Sequence, residues 1–142
     1  IGLGRTYGAK QDFANAEKYL AKAIEVNGKS VDAHRFLALT YLRQGKAKNA
    51  LAIAEKAYQL DKNRWETLHL ISEIHVAAGK FSEAEKTLKK VVKLNKKSIE
   101  GHMGLAMVYR MQKKYGKALK HAKKASKMAR RWRVVFSPAD VR

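Results

Sequence analysis

Residues 37–61, LALTYLRQGKAKNALAIAEKAYQLD, hold two amphipathic helical patterns with a stop between them. His34, Leu37, Ala38 and Tyr41 follow i, i+3, i+4, i+7 spacing, and Ala50, Ile53, Ala54 and Ala57 repeat it. Gln44-Gly45 lies between the two runs and supplies a helix stop. The whole arrangement recurs every 34 residues. Leu3, Leu37, Ile71 and Leu105 align, as do Tyr7, Tyr41, His75 and Tyr109. Ala16, Ala50, Ala84 and Ala118 form an unbroken series, and Ala23, Ala57, Val91 and Ala125 another. The register holds to about residue 132 without insertion or deletion.

The pattern places helices near 1–9, 14–27, 32–44, 48–61, 66–78, 82–95, 100–112 and 116–131. These eight helices form units 1–30, 31–64, 65–98 and 99–132 of one repeat domain, leaving 133–142 as a tail. The third unit turns at Ala78-Gly79, and Ser82-Glu83-Ala84-Glu85 reads as a capping box for the helix that follows. Alanines at the crossings permit close approach, while Leu, Tyr and Phe fill the space beside them.

A pair of helices repeating at 34, with Leu-Ala-x-x-Tyr at 37–41, Gly45, Ala50, Ala57 and Leu60-Asp61, resembles the tetratricopeptide repeat. The likeness covers about 132 of the 142 residues. It implies an all-α fold, a right-handed superhelix of helix pairs whose first helices line an inner groove, and binding of other proteins. Two departures stand out. The usual aromatic of the first helix is replaced by His34, Leu68 and His102, and the usual closing proline by Gly28, Lys62, Lys96 and Arg130. The second change is expected to soften the turns between units. Some relatives in this family grip a C-terminal carboxylate with Lys, Asn and Arg. The matching places here hold Arg35 with Leu39, then Leu70, then Glu100 with Gly104, so only Arg35 fits that mode.

The face opposite Leu37 and Tyr41 marks the candidate groove, at 100° per residue. It carries Arg5, then Arg35, Leu39 and Leu42, then His69, Glu73 and Val76, then Met103, Met107 and Arg110. Leu39, Leu42, Val76, Met103 and Met107 are apolar where the core does not need them, and Met adapts to irregular partners. An apolar floor with arginines suits a partly acidic peptide or amphipathic helix.

Charge is concentrated at one end. The chain carries +19, and residues 99–132 hold ten Lys and Arg against one acidic residue. Lys117, Lys120, Lys124, Lys127 and Arg131 form a helical stripe, with Lys113, Lys114, Lys123 and Arg130 beside it. Ala118, Ala122, Ala125 and Ala129 keep to another face. The stripe is read as a solvated face or as a surface for an acidic protein. The alternative is an electrostatic adaptor for RNA, DNA, an anionic assembly or a membrane surface. A reading of nucleic-acid sequence is disfavoured, because no basic–aromatic platform accompanies the lysines.

The five histidines do not make a metal site. His34 and His102 sit two repeats apart at a packing position, where half-burial is expected. His69 and His75 are six residues apart and do not share a face, and His121 stands among lysines. Without cysteine, a Gly-rich phosphate loop or a Ser–His–Asp arrangement, neither catalysis nor a cofactor is expected. No apolar run approaches the roughly 20 residues of a membrane span, and no basic start leads into an apolar stretch. A soluble chain is expected, with its compartment left open and the cytoplasmic side slightly favoured.

The two ends read differently. Ile24, Tyr58 and Val92 occupy a repeated place facing the following unit, and the fourth member is Ser126, so the array is expected to stop after residue 131. Val134, Val135 and Phe136 would then fold back over Leu119, with Pro138 ending regular structure. At the other end Ile1 enters mid-pattern, which points to further chain upstream or to self-association through this edge.

Overall fold

Helix ends in this protein are set by short signals that repeat with the sequence. The computed structural model describes the backbone of residues 2–136 and the side chains of residues 12–131. In chain order the helices are α1 Gly2–Val26, α2 Val31–Arg43, α3 Ala47–Leu60, α4 Trp65–Ala77, α5 Phe81–Leu94, α6 Ile99–Met111 and α7 Tyr115–Phe136. Among the described residues there is no strand.

The turn inside each pair is the same Schellman-type closure three times. Lys46 N–H donates to the Tyr41 carbonyl, Lys80 N–H to His75 and Lys114 N–H to Tyr109, at 2.8–2.9 Å. The residue before each lysine must take a left-handed conformation, and φ is +78° at Gly45, +75° at Gly79 and +61° at Lys113. Glycine adopts that conformation without a Cβ penalty. In the first unit the corresponding residue is Gln11. A left-handed turn at Gln11 would carry the Cβ cost that Lys113 bears, and the chain stays helical through 10–13 instead, so the two helices expected there are the single helix α1. The structure therefore has seven helices among the described residues, not eight.

The turns between units are held by a second repeated device. Asn27, Asp61 and Asn95, spaced by 34, each accept through Oδ1 from the backbone N–H two residues on, at 3.1, 3.0 and 3.3 Å. These Asx turns begin one residue before the place of the usual closing proline and hold each turn by a side-chain hydrogen bond. Ser30 Oγ accepts from Ala33 N–H at 3.2 Å, and Ser98 Oγ from Gly101 N–H at 2.9 Å, capping α2 and α6. The capping box at Ser82–Glu85 is absent: α5 begins at Phe81 after Lys80, and no side chain caps it.

Helices pack in pairs, α2 on α3, α4 on α5 and α6 on α7, and each pair stacks on the next. Ala38, Ala50, Ala54, Ala57 and Ala84 are wholly buried where helices cross. One cluster joins Ala38, Ala50 and Ala54 to Leu70, Ile71 and Ile74. A second joins Ala84 and Leu88 to Leu105, Val108 and Tyr109. Between α5 and α6 the approach is so close that a Cβ on Gly104 would lie 2.7 Å from Leu88 Cδ2. His34 and His102 are buried outright, at 5% and 6% exposure, rather than half-buried.

The C-terminal end departs from expectation. α7 continues through Phe136 because residues 129–136 contain neither glycine nor proline to stop it. Val134, Val135 and Phe136 therefore do not fold back in a separate tail, and Leu119 remains 56% exposed. Pro138 lies outside the described residues.

Left-handed geometry at a non-glycine residue costs roughly 1–2 kcal/mol, partly offset by the extra unfolded-state freedom of glycine. Lys113→Gly is expected to stabilise the protein by about 0.5–1 kcal/mol, and Gly45→Ala to destabilise it by about 1 kcal/mol or more. Urea unfolding followed by circular dichroism measures both.

Candidate functional site

The candidate groove follows the first helices of the pairs, α2, α4 and α6, which neighbour one another in order. Its residues divide into three kinds. Leu39 and Leu42 are partly buried against the first core cluster, and Val76 against the second. Contrary to expectation, the core does use these three. Met103 and Met107 are different, with 59% and 37% exposure on α6, and Arg110 is exposed one turn further on.

The charged members are largely engaged. Arg35 Nη1 lies 3.1 Å from Asp32 Oδ1, an oxygen that also receives Arg64 at 2.8 Å. His69 Nδ1 lies 2.9 Å from Glu73 Oε1. Arg5 falls on the N-terminal half of the continuous α1 rather than on a separate first helix, and its side chain is outside the described residues. Phe36, which the sequence pattern did not single out, is 54% exposed, whereas Leu70 one repeat later is 7% exposed. Leu70 packs in the first core cluster with Ala38 of the preceding first helix.

The basic stripe is not uniform either. Lys114 Nζ lies 3.9 Å from Glu85 Oε1, and Lys117 Nζ sits 5.6 Å from the centre of the Tyr109 ring. Glu85 also receives Lys89 at 3.0 Å and the Tyr109 hydroxyl at 3.5 Å. Burial alone would push the Glu85 carboxyl up, but Lys89 and Lys114 outweigh it and hold the pKa below its usual value. Lys120, Lys123, Lys124, Lys127, Arg130 and Arg131 are exposed along α7, and Lys113 occupies the turn before it.

Spacing in the sequence did not reveal one constellation. His102 of α6 and His121 of α7 stack with Nδ1 atoms 3.0 Å apart, and Tyr109 also stacks on His121. One imidazole must donate and the other accept, which requires at least one neutral ring. Burial lowers the His102 pKa, assisted by Lys124 and opposed by the Lys96 carbonyl. Burial also lowers that of His121, followed by His102, Lys124, Lys120 and Lys89. No group of three or more His, Cys, Asp or Glu side chains suited to a metal ion occurs among the described residues. Nor is any described helix long and apolar enough to cross a membrane.

Two family models, each of the tetratricopeptide repeat, match residues 1–64 and 41–108. The chain belongs to the tetratricopeptide repeat family. Among curated relatives, the human Protein O-mannosyl-transferase TMTC1 is 27% identical over 125 residues, which is 88% of this chain. Those residues are only 14% of that protein, so the likeness concerns a small part of it. The crystal structure of MamA is similar with a TM-score of 0.79 at 18% identity, over 92% of this chain and 77% of that one. A MamA RS-1 ArsTM double mutant gives 0.78 at 16% identity, over 92% and 74%. At these identities the two structures show a shared tetratricopeptide-type fold.

The histidine stack makes the last repeat pH-sensitive. Both rings hold a proton less readily folded than unfolded, so the unfolded chain binds more protons below its ordinary pKa of 6.5. The stability from this pair is complete above pH 6.5 and is lost as pH falls through the lower folded values. Melting temperature is expected to decline as pH falls below about 6.5. His121→Gln should flatten that decline, as followed by thermal unfolding across the pH series.

Proposed function

We propose that this protein is a non-enzymatic interaction scaffold that takes a partly acidic peptide or amphipathic helix along α2, α4 and α6. In this reading the pairs wind as a right-handed superhelix, units 31–64, 65–98 and 99–132 form its regular part, and the first helices line the inner side. The observation that carries the proposal is the exposed Met103–Met107 strip on α6, bordered by Arg110, on a face the helix pairs do not cover. Unbranched thioether side chains provide apolar area that adapts to a partner. The net charge of +19 attracts an acidic partner at long range. Family membership supports a protein-binding role. The chemistry named by the O-mannosyl-transferase relative is not carried over, because so little of that protein is matched.

The alternative of a nucleic-acid or membrane-surface adaptor has less support. Lys114 and Lys117 of the basic stripe are engaged with Glu85 and Tyr109, which leaves fewer of its cations free for phosphate.

Isothermal titration against a panel of acidic amphipathic helical peptides tests the groove. Met103→Glu with Met107→Glu is expected to weaken binding by about tenfold or more, equivalent to 1.4 kcal/mol. Helicity and melting temperature should stay unchanged. Undiminished binding by the double variant would remove α6 from the site, and unfolding would make both methionines core residues.

A further inference from the structure

On the other side of the first helices, consecutive second helices leave clefts between them, and two of these clefts are related by the repeat. The earlier one, of about 790 Å³, opens between α3 and α5 over α4. The later one, of about 400 Å³, opens between α5 and α7 over α6. Tyr58, Leu68 and Lys90 of the first stand 34 residues before Val92, His102 and Lys124 of the second. The scaffold is the same, but the charge is not. Glu55 lies among the cations of the earlier cleft, whereas the later one is lined by four cations and no acidic side chain.

Lys96, Lys124, Lys127 and Arg131 surround this second cleft, and Val92 and Met128 give it an apolar base beside His102. None of the four cations forms an ion pair among the described residues. Four like charges converging on one concavity repel each other, and the concave wall concentrates their field at its mouth. An anionic group placed there relieves that repulsion. The apolar base adds a requirement that bare phosphate does not meet, namely an apolar side chain carried between the anionic groups. Among the described residues that line it there is no phenyl, phenol or indole ring for a base to stack on, since Tyr58 of the earlier cleft is replaced by Val92.

We infer that the cleft between α5 and α7 is a second binding site, distinct from the groove on the first helices. Its ligand is an acidic protein segment that seats one apolar side chain on Val92 and Met128 with carboxylates on either side. The rim cations meet the carboxylates, and their exposed position makes the attraction salt-dependent. This site does not depend on the reading of the methionine groove, whose residues are not among those lining the cleft.

The test uses the 142-residue chain and a fluorescein-labelled peptide of alternating Glu and Leu, with binding read by fluorescence anisotropy. Lys124→Glu with Lys127→Glu should weaken binding at least tenfold. Lys120→Glu with Lys123→Glu makes the same charge change outside the cleft and should alter it less than threefold. Met128→Asp should weaken it while Met103→Glu with Met107→Glu does not. In the unaltered protein, amide NMR shifts on adding peptide should centre on Val92, His102 and Met128, a readout independent of any variant's folding. Equal losses from the inner and outer lysine pairs would show a diffuse field and overturn the site. Shifts centred on Met103 and Met107 would place the peptide in the groove instead. Displacement of the peptide by a 12-nucleotide oligouridine RNA at concentrations below the peptide's own Kd would assign the surface to nucleic acid.

Discussion

The alanine crossing is the contact on which the rest of the architecture depends. With Ala38, Ala50, Ala54, Ala57 and Ala84 wholly buried, paired helices approach until larger side chains on either side interlock. Leu70, Ile71 and Ile74 fill one such space, and Leu88, Leu105 and Val108 the next. A bulkier residue at a crossing would hold the helices apart and open cavities along the whole interface. The spacing of second helices, and with it the width of the clefts between them, follows from this approach.

Periodicity made the fold legible because its signals are local and repeated. Leu37, Ala50 and Ala57 report their buried places through spacing alone, and Gly45 and Gly79 mark the turns they make. The first unit was misread because helix periodicity says which face is buried but not whether a break is completed. A left-handed turn is costlier at Gln11 than at Gly45, and although Lys113 makes one, the helix continues past Gln11. The Asx turns at Asn27, Asp61 and Asn95 were visible in principle as a polar residue recurring at 34. At the far end the absence of any breaker before Pro138 was the better guide to α7 than the apolar residues following Arg133.

The surfaces were harder to read because a helical wheel separates faces but does not show what a neighbouring pair covers. Leu39, Leu42 and Val76 share a face with Met103 and Met107, yet the adjoining clusters engage the first three and leave the methionines exposed. The basic stripe likewise splits, since Lys114 and Lys117 turn toward Glu85 and Tyr109 while Lys124 and Lys127 reach the cleft. His102 and His121 are 19 residues apart, and only the packing of α6 on α7 brings their rings together. A repeat of 34 carries no mark of that meeting, because His121 has no histidine at the equivalent place in the earlier units.

Among the described residues, packing joins only helices that are one or two places apart in chain order, and nothing closes the stack from one end to the other. A tensile load applied to the two ends therefore passes through every interface in series, as through links of a spring, and small tilts at each crossing add to a larger extension. The weakest link yields first while the others retain their shape. Because the two halves of α1 form one rod, compliance begins at the turn around Asn27 rather than within the first unit.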